Sequence, residues 1–171
     1  YDEGHHRMEF SWPYINEWEK LSNISKHWPE LHRAILEGET LYQLYSRAYT
    51  PWEWTKELKD YANSLGMHLF SSPFDTSAVD FLENLDIPAY KIASFEIVDH
   101  VLIKRIAQTG KPVIISSGMA SFQELQEAIE LLRKNGCSQI CMLKCTSAYP
   151  AKLEDANLIT MKDMAKKFNV I

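Results

Sequence analysis

Residues 88–118 read PAYKIASFEIVDHVLIKRIAQTGKPVIISSG and hold a complete strand–helix–strand pattern. Two short apolar runs, "PAYKIAS" and "KPVIISSG", predict strands, because branched and aromatic side chains favour extended backbone. Between them, "DHVLIKRIAQT" has the apolar spacing of an amphipathic helix, which Gly110 ends. A strand, a helix and a second strand in this order predict a right-handed βαβ unit with parallel strands.

The same pattern repeats on both sides of this stretch. Strands are predicted to begin at steps of 22, 23 and 27 residues, near Met67, Ala89, Pro112 and Gln139. Helices are predicted in "DTSAVDFLENL", capped by Asp75 or Thr76, after the capping box of Ser121 and Glu124, and in "LITMKDMAKKF". Strands that are apolar on both faces are typical of covered parallel sheets, so the sequence predicts an α/β fold.

The region before residue 67 has a different pattern. Pro51 suits a first helical turn, and a helix is predicted from Trp52 to Leu65. Residues 1–37 hold three of the five tryptophans and many charges, but we find no strand pattern there. We interpret residues 1–37 as a divergent segment, helical or poorly ordered, ahead of a domain formed by residues 38–171.

Length and charge narrow the class of protein. The 171 residues suit one globular domain, and a net charge of −5 gives no reason to expect nucleic acid or an anionic membrane as partner. No apolar run approaches the ~20 residues that span a bilayer. The first residues, "YDEGHHRMEF", lack the order of a signal peptide, so we expect a cytoplasmic protein.

The three cysteines, Cys137, Cys141 and Cys145, are evenly spaced, which raises the question of a metal site. They lie on a predicted strand, where four residues separate neighbouring sulfurs by about 13 Å. One tetrahedral metal with bonds of about 2.3 Å cannot bridge them. We interpret them as buried, reduced thiols.

Hydroxyl side chains follow the carboxyl end of every predicted strand, in "SSPF", "SFE", "SSGM" and "TSAYP". In parallel α/β folds this end of the sheet is where active sites are built. A single serine there could merely cap the next helix. Four consecutive strand ends with hydroxyls favour a functional site.

Lys91 is a charge inside an apolar strand. Strand alternation places Lys91 on the face opposite to Tyr90 and Ile92, whose bulk suits packing against helices. An inward ammonium group needs a partner of opposite charge. Glu96 could be that partner. The alternative is a phosphate or carboxylate ligand, held by Lys91 together with hydroxyl groups from Ser72, Ser94 and Ser116.

The chain resembles the sialic acid synthase family, most of all its pseudaminic acid synthase branch, in five motifs that occur in the family's order: "LYQLYSRAYTPWEW", "FSSPFD", "PAYKIASFEI", "GKPVIISSGM" and "LKCTSAYPAKLEDANL". The resemblance implies a (β/α)8 TIM barrel, of which this chain holds strands three to six. It implies condensation of phosphoenolpyruvate with an acetamido sugar, release of phosphate, a divalent metal (Mn or Mg) as cofactor, and a homodimer.

The resemblance also implies roles for residues of the phosphoenolpyruvate side. Lys91 and Ser94 match phosphoenolpyruvate contacts, and Ser116 matches a serine that contacts the phosphate. Ser72 matches a hydroxyl position that is often threonine. Glu96 matches a glutamate beside the reacting carbons, a candidate for proton transfer or for positioning the attacking water.

On the sugar side, Tyr149 matches a tyrosine that contacts the sugar. Ser147 stands where some relatives have asparagine. The family's metal-binding histidines belong to barrel strands beyond Ile171, so no metal ligand is expected in this chain. A glutamate and a lysine of the family's opening strands have no match in residues 1–37.

A complete barrel of this type needs ~250 residues, so we interpret the chain as a central part of a synthase. We expect it to be inactive alone and to leave strand edges at Met67–Phe70 and Ile140–Cys145 unpaired. Two alternatives remain. One is a non-catalytic remnant or phosphate-binding module, and the other is an aldolase-type barrel that uses Lys91 as a Schiff-base amine.

Overall fold

The computed structural model describes residues 6–10, 49–147 and 151–171 of the chain. Their strands form one sheet in the order β1–β2–β3–β4–β5. Strand β1 is antiparallel to β2, whereas β2 to β5 run parallel to one another. The strands are β1 His6–Phe10, β2 Leu69–Pro73, β3 Tyr90–Ile92, β4 Val113–Ser116 and β5 Ile140–Leu143.

One helix precedes β2, three connect the parallel strands, and one follows the last strand. They are α1 Trp52–Ser64, α2 Thr76–Asn84, α3 His100–Ala107, α4 Phe122–Lys134 and α5 Thr160–Phe168. Two short 3₁₀ helices, Glu96–Val98 and Leu153–Ala156, lie in the connections after β3 and β5. None of the described helices is long and apolar enough to cross a membrane. The predicted α/β fold with a parallel sheet is confirmed.

The helix ends form where the sequence supplies capping groups. Asp75 accepts a hydrogen bond from the backbone N–H of Ala78 at the start of α2. The Ser121–Glu124 capping box is present at α4, with both of its hydrogen bonds. Beyond α3, Gly110 has a φ of +72°, which glycine adopts without strain. The predicted caps and this helix stop are confirmed.

The core lies between the sheet and its helices. Tyr90 and Ile92 of β3 are 0% exposed, and so are Leu82 of α2, Ile103 of α3 and Leu132 of α4. The helices therefore cover one face of the sheet completely. This face carries the bulky residues of the strand alternation, as predicted.

The structure corrects the prediction that residues 1–37 contain no strand, because His6–Phe10 forms β1. Its backbone pairs with the whole of β2, from Phe10 opposite Leu69 to His6 opposite Pro73. The edge that was expected to be open at Met67–Phe70 is therefore occupied along Leu69 and Phe70. An edge strand next to a parallel sheet is free to run antiparallel.

The second expected open edge, at Ile140–Cys145, is also partly paired. The N–H of Ile171 donates to the carbonyl oxygen of Ile140 at 3.2 Å, and the N–H of Met142 donates to that of Ile171 at 2.8 Å. This pattern, in which one residue bonds to both neighbours of Cys141, is that of a parallel ladder. The end of the described chain thus lies along β5.

Candidate active site at the carboxyl end of the sheet

Lys91 lies on the face of the sheet that the helices leave uncovered. The register aligns Lys91 with Ile114 of β4, and Ile114 with Cys141 of β5. Ser71 pairs with Tyr90, so Ser72 follows on the same row as Lys91. Lys91, Ile114 and Cys141 are half-buried, in contrast to the fully buried residues before and after Lys91. The predicted inward direction of Lys91 is confirmed by this alternation.

The connection after β3 carries Ser94 and Glu96. Glu96 opens a 3₁₀ helix, and its N–H donates to the carbonyl oxygen of Ala93 at 3.2 Å. Its Oε2 atom is buried and has no hydrogen-bond partner. Burial raises the pKa of Glu96 above its ordinary value, while its own backbone N–H and the charge of Lys91 act in the opposite direction. Glu96 is thus a carboxyl group that holds its proton more tightly than a glutamate in water.

The connection after β4 is tightly held. Ser116 and Ser117 are 3% and 8% exposed. The N–H of Ser117 donates to the carbonyl oxygen of Leu143 at 3.0 Å, and its Oγ accepts from the N–H of Cys145 at 3.4 Å. A turn follows, closed by the N–H of Ala120 donating to the carbonyl oxygen of Ser117 at 2.9 Å. Ser116 is therefore fixed at the end of β4 by its neighbours.

Gly118 brings the loops after β3, β4 and β5 together. A Cβ atom at position 118 would overlap the Cβ and Oγ atoms of Ser94 and would lie 3.1 Å from the Oγ of Ser147. Two predicted site hydroxyls, one from each of the outer loops, thus meet beside the backbone of the middle loop. Gly118 was not among the predicted site residues, although a glycine after two serines at a strand end is a signal for close approach of another part of the chain.

The connection after β5 is held by one carbonyl oxygen. The carbonyl of Asp155 accepts hydrogen bonds from Lys144 Nζ at 3.3 Å, Thr146 Oγ1 at 3.2 Å and Asn157 Nδ2 at 3.1 Å. Lys144 Nζ also donates to Thr146 Oγ1 at 3.0 Å. These bonds fasten the residues just before Ser147 to the 3₁₀ helix Leu153–Ala156.

The structure places the predicted hydroxyl groups at one end of the parallel sheet. Ser72 is near the end of β2, Ser116 ends β4, and Ser94 and Ser147 follow β3 and β5. Lys91 and Glu96 belong to the same end through β3 and its connection. The seventh predicted site residue, Tyr149, lies outside the described residues. The roles of all these residues remain predictions.

The described part of the chain contains no ligand set for a divalent metal. There, no group of three or more histidine, cysteine, aspartate or glutamate side chains is placed to hold a metal ion. The cysteines are free thiols, but the expectation that all are buried is wrong. Cys137 is buried, whereas Cys141 and Cys145 are partly exposed, because Cys141 lies on the face that the helices leave uncovered.

Known proteins resemble the chain along most of its length. The model of the NeuB family matches residues 18–171. The chain belongs to the NeuB family. The likeness begins inside the segment that was expected to be divergent, and the resemblance inferred from the motifs is confirmed.

Curated proteins that are similar to this NeuB-family chain include pseudaminic acid synthases and N,N'-diacetyllegionaminic acid synthases. A pseudaminic acid synthase of Helicobacter pylori is 52% identical over 137 residues, which cover 80% of this chain and 40% of that protein. An N,N'-diacetyllegionaminic acid synthase of Campylobacter jejuni is 32% identical over 152 residues, covering 88% of this chain and 46% of that protein. The chain thus spans less than half the length of these relatives.

Solved structures confirm that the sheet is part of a TIM-barrel-type fold. The N-acetylneuraminic acid synthetase of Leptospira borgpetersenii matches with a TM-score of 0.71 and 26% identity, over 86% of this chain and 49% of that one. The spore coat polysaccharide biosynthesis protein SpsE of Bacillus subtilis matches with a TM-score of 0.69 and 31% identity, over 76% of this chain and 36% of that one.

Proposed function

We propose that the protein carrying this chain condenses phosphoenolpyruvate with an acetamido sugar to form a nonulosonic acid, in the manner of a pseudaminic acid synthase. The observation that carries the proposal is the position of Lys91, which lies on the uncovered face of the sheet within electrostatic reach of Glu96. Hydroxyl groups follow at the same end of the sheet. The names of the curated relatives support this class of reaction.

In this proposal Lys91 binds the phosphate or carboxylate of phosphoenolpyruvate. Ser72, Ser94 and Ser116 donate hydrogen bonds to the same anion. Lysine and hydroxyl side chains donate hydrogen bonds to a phosphate dianion, and the hydroxyl groups do so without supplying a strong base. They therefore hold the enol phosphate without promoting its decay.

Glu96 acts on the reacting carbon atoms. The bond between C3 of phosphoenolpyruvate and the aldehyde carbon of the sugar forms first, and water then adds at C2. Phosphate leaves when the bond between C2 and the phosphate oxygen breaks. A carboxyl group with a raised pKa and an unpartnered buried oxygen can orient that water and exchange a proton with it.

Ser147 and Tyr149 bind the sugar in this proposal. The proximity of Ser147 to Ser94 beside Gly118 supports a sugar site next to the phosphoenolpyruvate site. A divalent cation, Mn or Mg, belongs to the proposal through the family resemblance. The described residues do not supply its ligands, so we assign no step to it here. We also propose a cytoplasmic location, since phosphoenolpyruvate is made inside the cell. The family resemblance supports a homodimer.

Titration of the protein that carries this chain with phosphoenolpyruvate tests the central assignment. We expect Lys91→Ala to weaken binding by about ten- to a hundredfold, the worth of a hydrogen bond to a charged group. Lys104→Ala, which removes an exposed lysine of α3 on the helix side, is the matched control and should leave the affinity unchanged. Equal affinity in wild type and Lys91→Ala would mean that Lys91 has a structural role.

Two further experiments on the same protein test the alternative functions, a Schiff-base aldolase and a phosphate-binding module. Borohydride reduction in the presence of pyruvate should leave Lys91 unmodified, and a covalent adduct on Lys91 would favour the Schiff-base aldolase. A phosphate-binding module would bind inorganic phosphate and phosphoenolpyruvate equally. The proposed synthase should prefer phosphoenolpyruvate, because its carboxylate and enol carbons add contacts that free phosphate lacks.

A further inference from the structure

Gly118, in the loop after β4, lies close to Ser94 of the loop after β3 and to Ser147 of the loop after β5. The missing side chain is what permits this, because a Cβ atom there would overlap Ser94 and lie close to Ser147. Among the described residues, the glycines that need a positive φ are Gly66, Gly110 and Gly136. Gly118 is therefore required by contact and not by backbone conformation.

The turn around Gly118 cannot easily move away from Ser94. Ser117, the residue before it, is almost fully buried and bonds to the backbone of Leu143 and Cys145. Ala120, two residues after it, closes the turn by bonding back to Ser117. A shift of Gly118 would break this set of hydrogen bonds.

Ser94 is the partner that would yield, but its position is also restricted. Ile92 and Ile97 on either side of it are 0% and 2% exposed and anchor the connection in the core. A methyl group at position 118 would overlap both the Cβ and the Oγ of Ser94, so residue 94 itself must shift, and the separation of its hydroxyl group from Ser147 changes. The backbone of β3 would stay in place.

We propose that Gly118 is a positioning residue that sets the separation between the hydroxyl groups of Ser94 and Ser147. The inference rests on the proposed function, in which Ser94 contacts phosphoenolpyruvate and Ser147 contacts the sugar. The absent side chain then fixes how closely the two substrates approach each other. A bond between C3 of phosphoenolpyruvate and the sugar aldehyde forms only if that approach is correct, so the effect should fall on turnover as well as on binding.

The contact itself is tested by a double-mutant cycle on thermal stability. Gly118→Ala should lower Tm in the wild-type background. The same substitution should have little effect on Tm in a Ser94→Gly background, because the overlapping Cβ and Oγ atoms are gone. Equal lowering of Tm in both backgrounds would overturn the proposed contact. Should Gly118→Ala fail to fold alone, recovery of a cooperative transition in the double variant supports the contact, and failure of both overturns it.

The positioning role is tested by titration with phosphoenolpyruvate. Gly118→Ala should reduce affinity by about tenfold or more, since displacement by about 1 Å can cost up to a hundredfold in function. Gly110→Ala is the matched control. It strains a φ of +72° but meets no atom within 4 Å, so it should lower Tm without changing affinity.

The outcomes separate this inference from the proposed function. Wild-type protein that does not bind phosphoenolpyruvate contradicts the proposed function, and the stability cycle still tests the contact. Wild-type protein that binds, together with unchanged affinity and turnover in Gly118→Ala, overturns the positioning role alone. In a catalytically active protein that carries this chain, a lower kcat in Gly118→Ala but not in Gly110→Ala supports the positioning role of Gly118.

Discussion

The two faces of the parallel sheet differ sharply, although the same strands build both. On the face toward the helices, Tyr90, Ile92, Val113 and Ile115 are at most 1% exposed. On the opposite face, Lys91, Ile114 and Cys141 are half-buried. Alternate residues of one strand therefore have different roles: those that face the helices stabilise the core, and those on the other face can contact a ligand. Substitutions one position apart should therefore differ in how much they cost in stability and in whether they affect binding.

The largest expected effect is on the helix side of β4. Ile115→Ala should lower the free energy of unfolding by about 2–5 kcal/mol, because it leaves a cavity in a close-packed core. Ile114→Ala, the neighbouring residue on the other face, should cost only about 1 kcal/mol, because less apolar surface is withdrawn from water there. Urea unfolding of the two variants measures the difference. Equal losses would contradict the division between the faces.

The next effect concerns the hydroxyl group of Tyr90, on the residue before Lys91. It donates a hydrogen bond to Glu83 Oε1 at 2.8 Å and lies 3.3 Å from the carbonyl oxygen of Val79. Tyr90→Phe should cost about 0.5–3 kcal/mol, because Glu83 loses a hydrogen-bond donor at a partly buried site. Phosphoenolpyruvate affinity should stay unchanged, the reverse of what we expect for Lys91→Ala. Loss of affinity in Tyr90→Phe would show that the two faces are not independent.

The pH dependence of stability reports on Glu96. Its raised pKa means that the folded protein binds the proton more tightly than the unfolded chain, whose glutamates have a pKa of about 4.3. The group therefore reduces stability progressively as the pH rises from about 4.3 to its folded pKa. Glu96→Gln should raise Tm at neutral pH, and the gain should vanish below about pH 4.

Lys91→Ala serves as the control for the Glu96 assignment. The charge of Lys91 lowers the pKa of Glu96, so its removal should raise that pKa further. The stabilising effect of Glu96→Gln should then be larger in the Lys91→Ala background at neutral pH. An equal effect in both backgrounds would mean that the two groups do not interact.

Much of this architecture could be predicted from the sequence, because its causes are local. The period-two pattern around Lys91 is enough to assign its face, and Asp75, Ser121 and Glu124 are capping residues at the spacing that caps require. Strand β1 was missed. Its alternation, from Arg7 to Phe10, has the strand period but covers only a few residues.

The arrangement around Gly118 could not be predicted in the same way. Its proximity to Ser94 and Ser147 depends on where neighbouring strands end relative to one another. These relative positions are set by the register of β3, β4 and β5, which the residue pattern of any one strand does not contain. The hydrogen bonds to the Asp155 carbonyl are likewise absent from a local pattern, since they join residues 11 and 9 positions apart in the chain.

The smallest expected effect tests those last bonds. Thr146 Oγ1 accepts from Lys144 Nζ at 3.0 Å and donates to the Asp155 carbonyl at 3.2 Å. Thr146→Val removes both interactions at a partly exposed site, so the loss in global stability should be about 0.5–1 kcal/mol. Hydrogen exchange should nevertheless accelerate at Cys145 and Ser147, because the loop can open without unfolding of the sheet.

Thr109→Val is the matched control, on the helix side of the molecule. Thr109 Oγ1 also takes part in two hydrogen bonds, donating to the carbonyl oxygen of Ile106 at 2.7 Å and accepting from the N–H of Lys111 at 3.3 Å. Its replacement should cost a similar free energy of unfolding and leave exchange at Cys145 and Ser147 unchanged. If both variants accelerate exchange in that loop equally, the Asp155 carbonyl does not hold it, and the loop after β5 depends on the helix layer for its order.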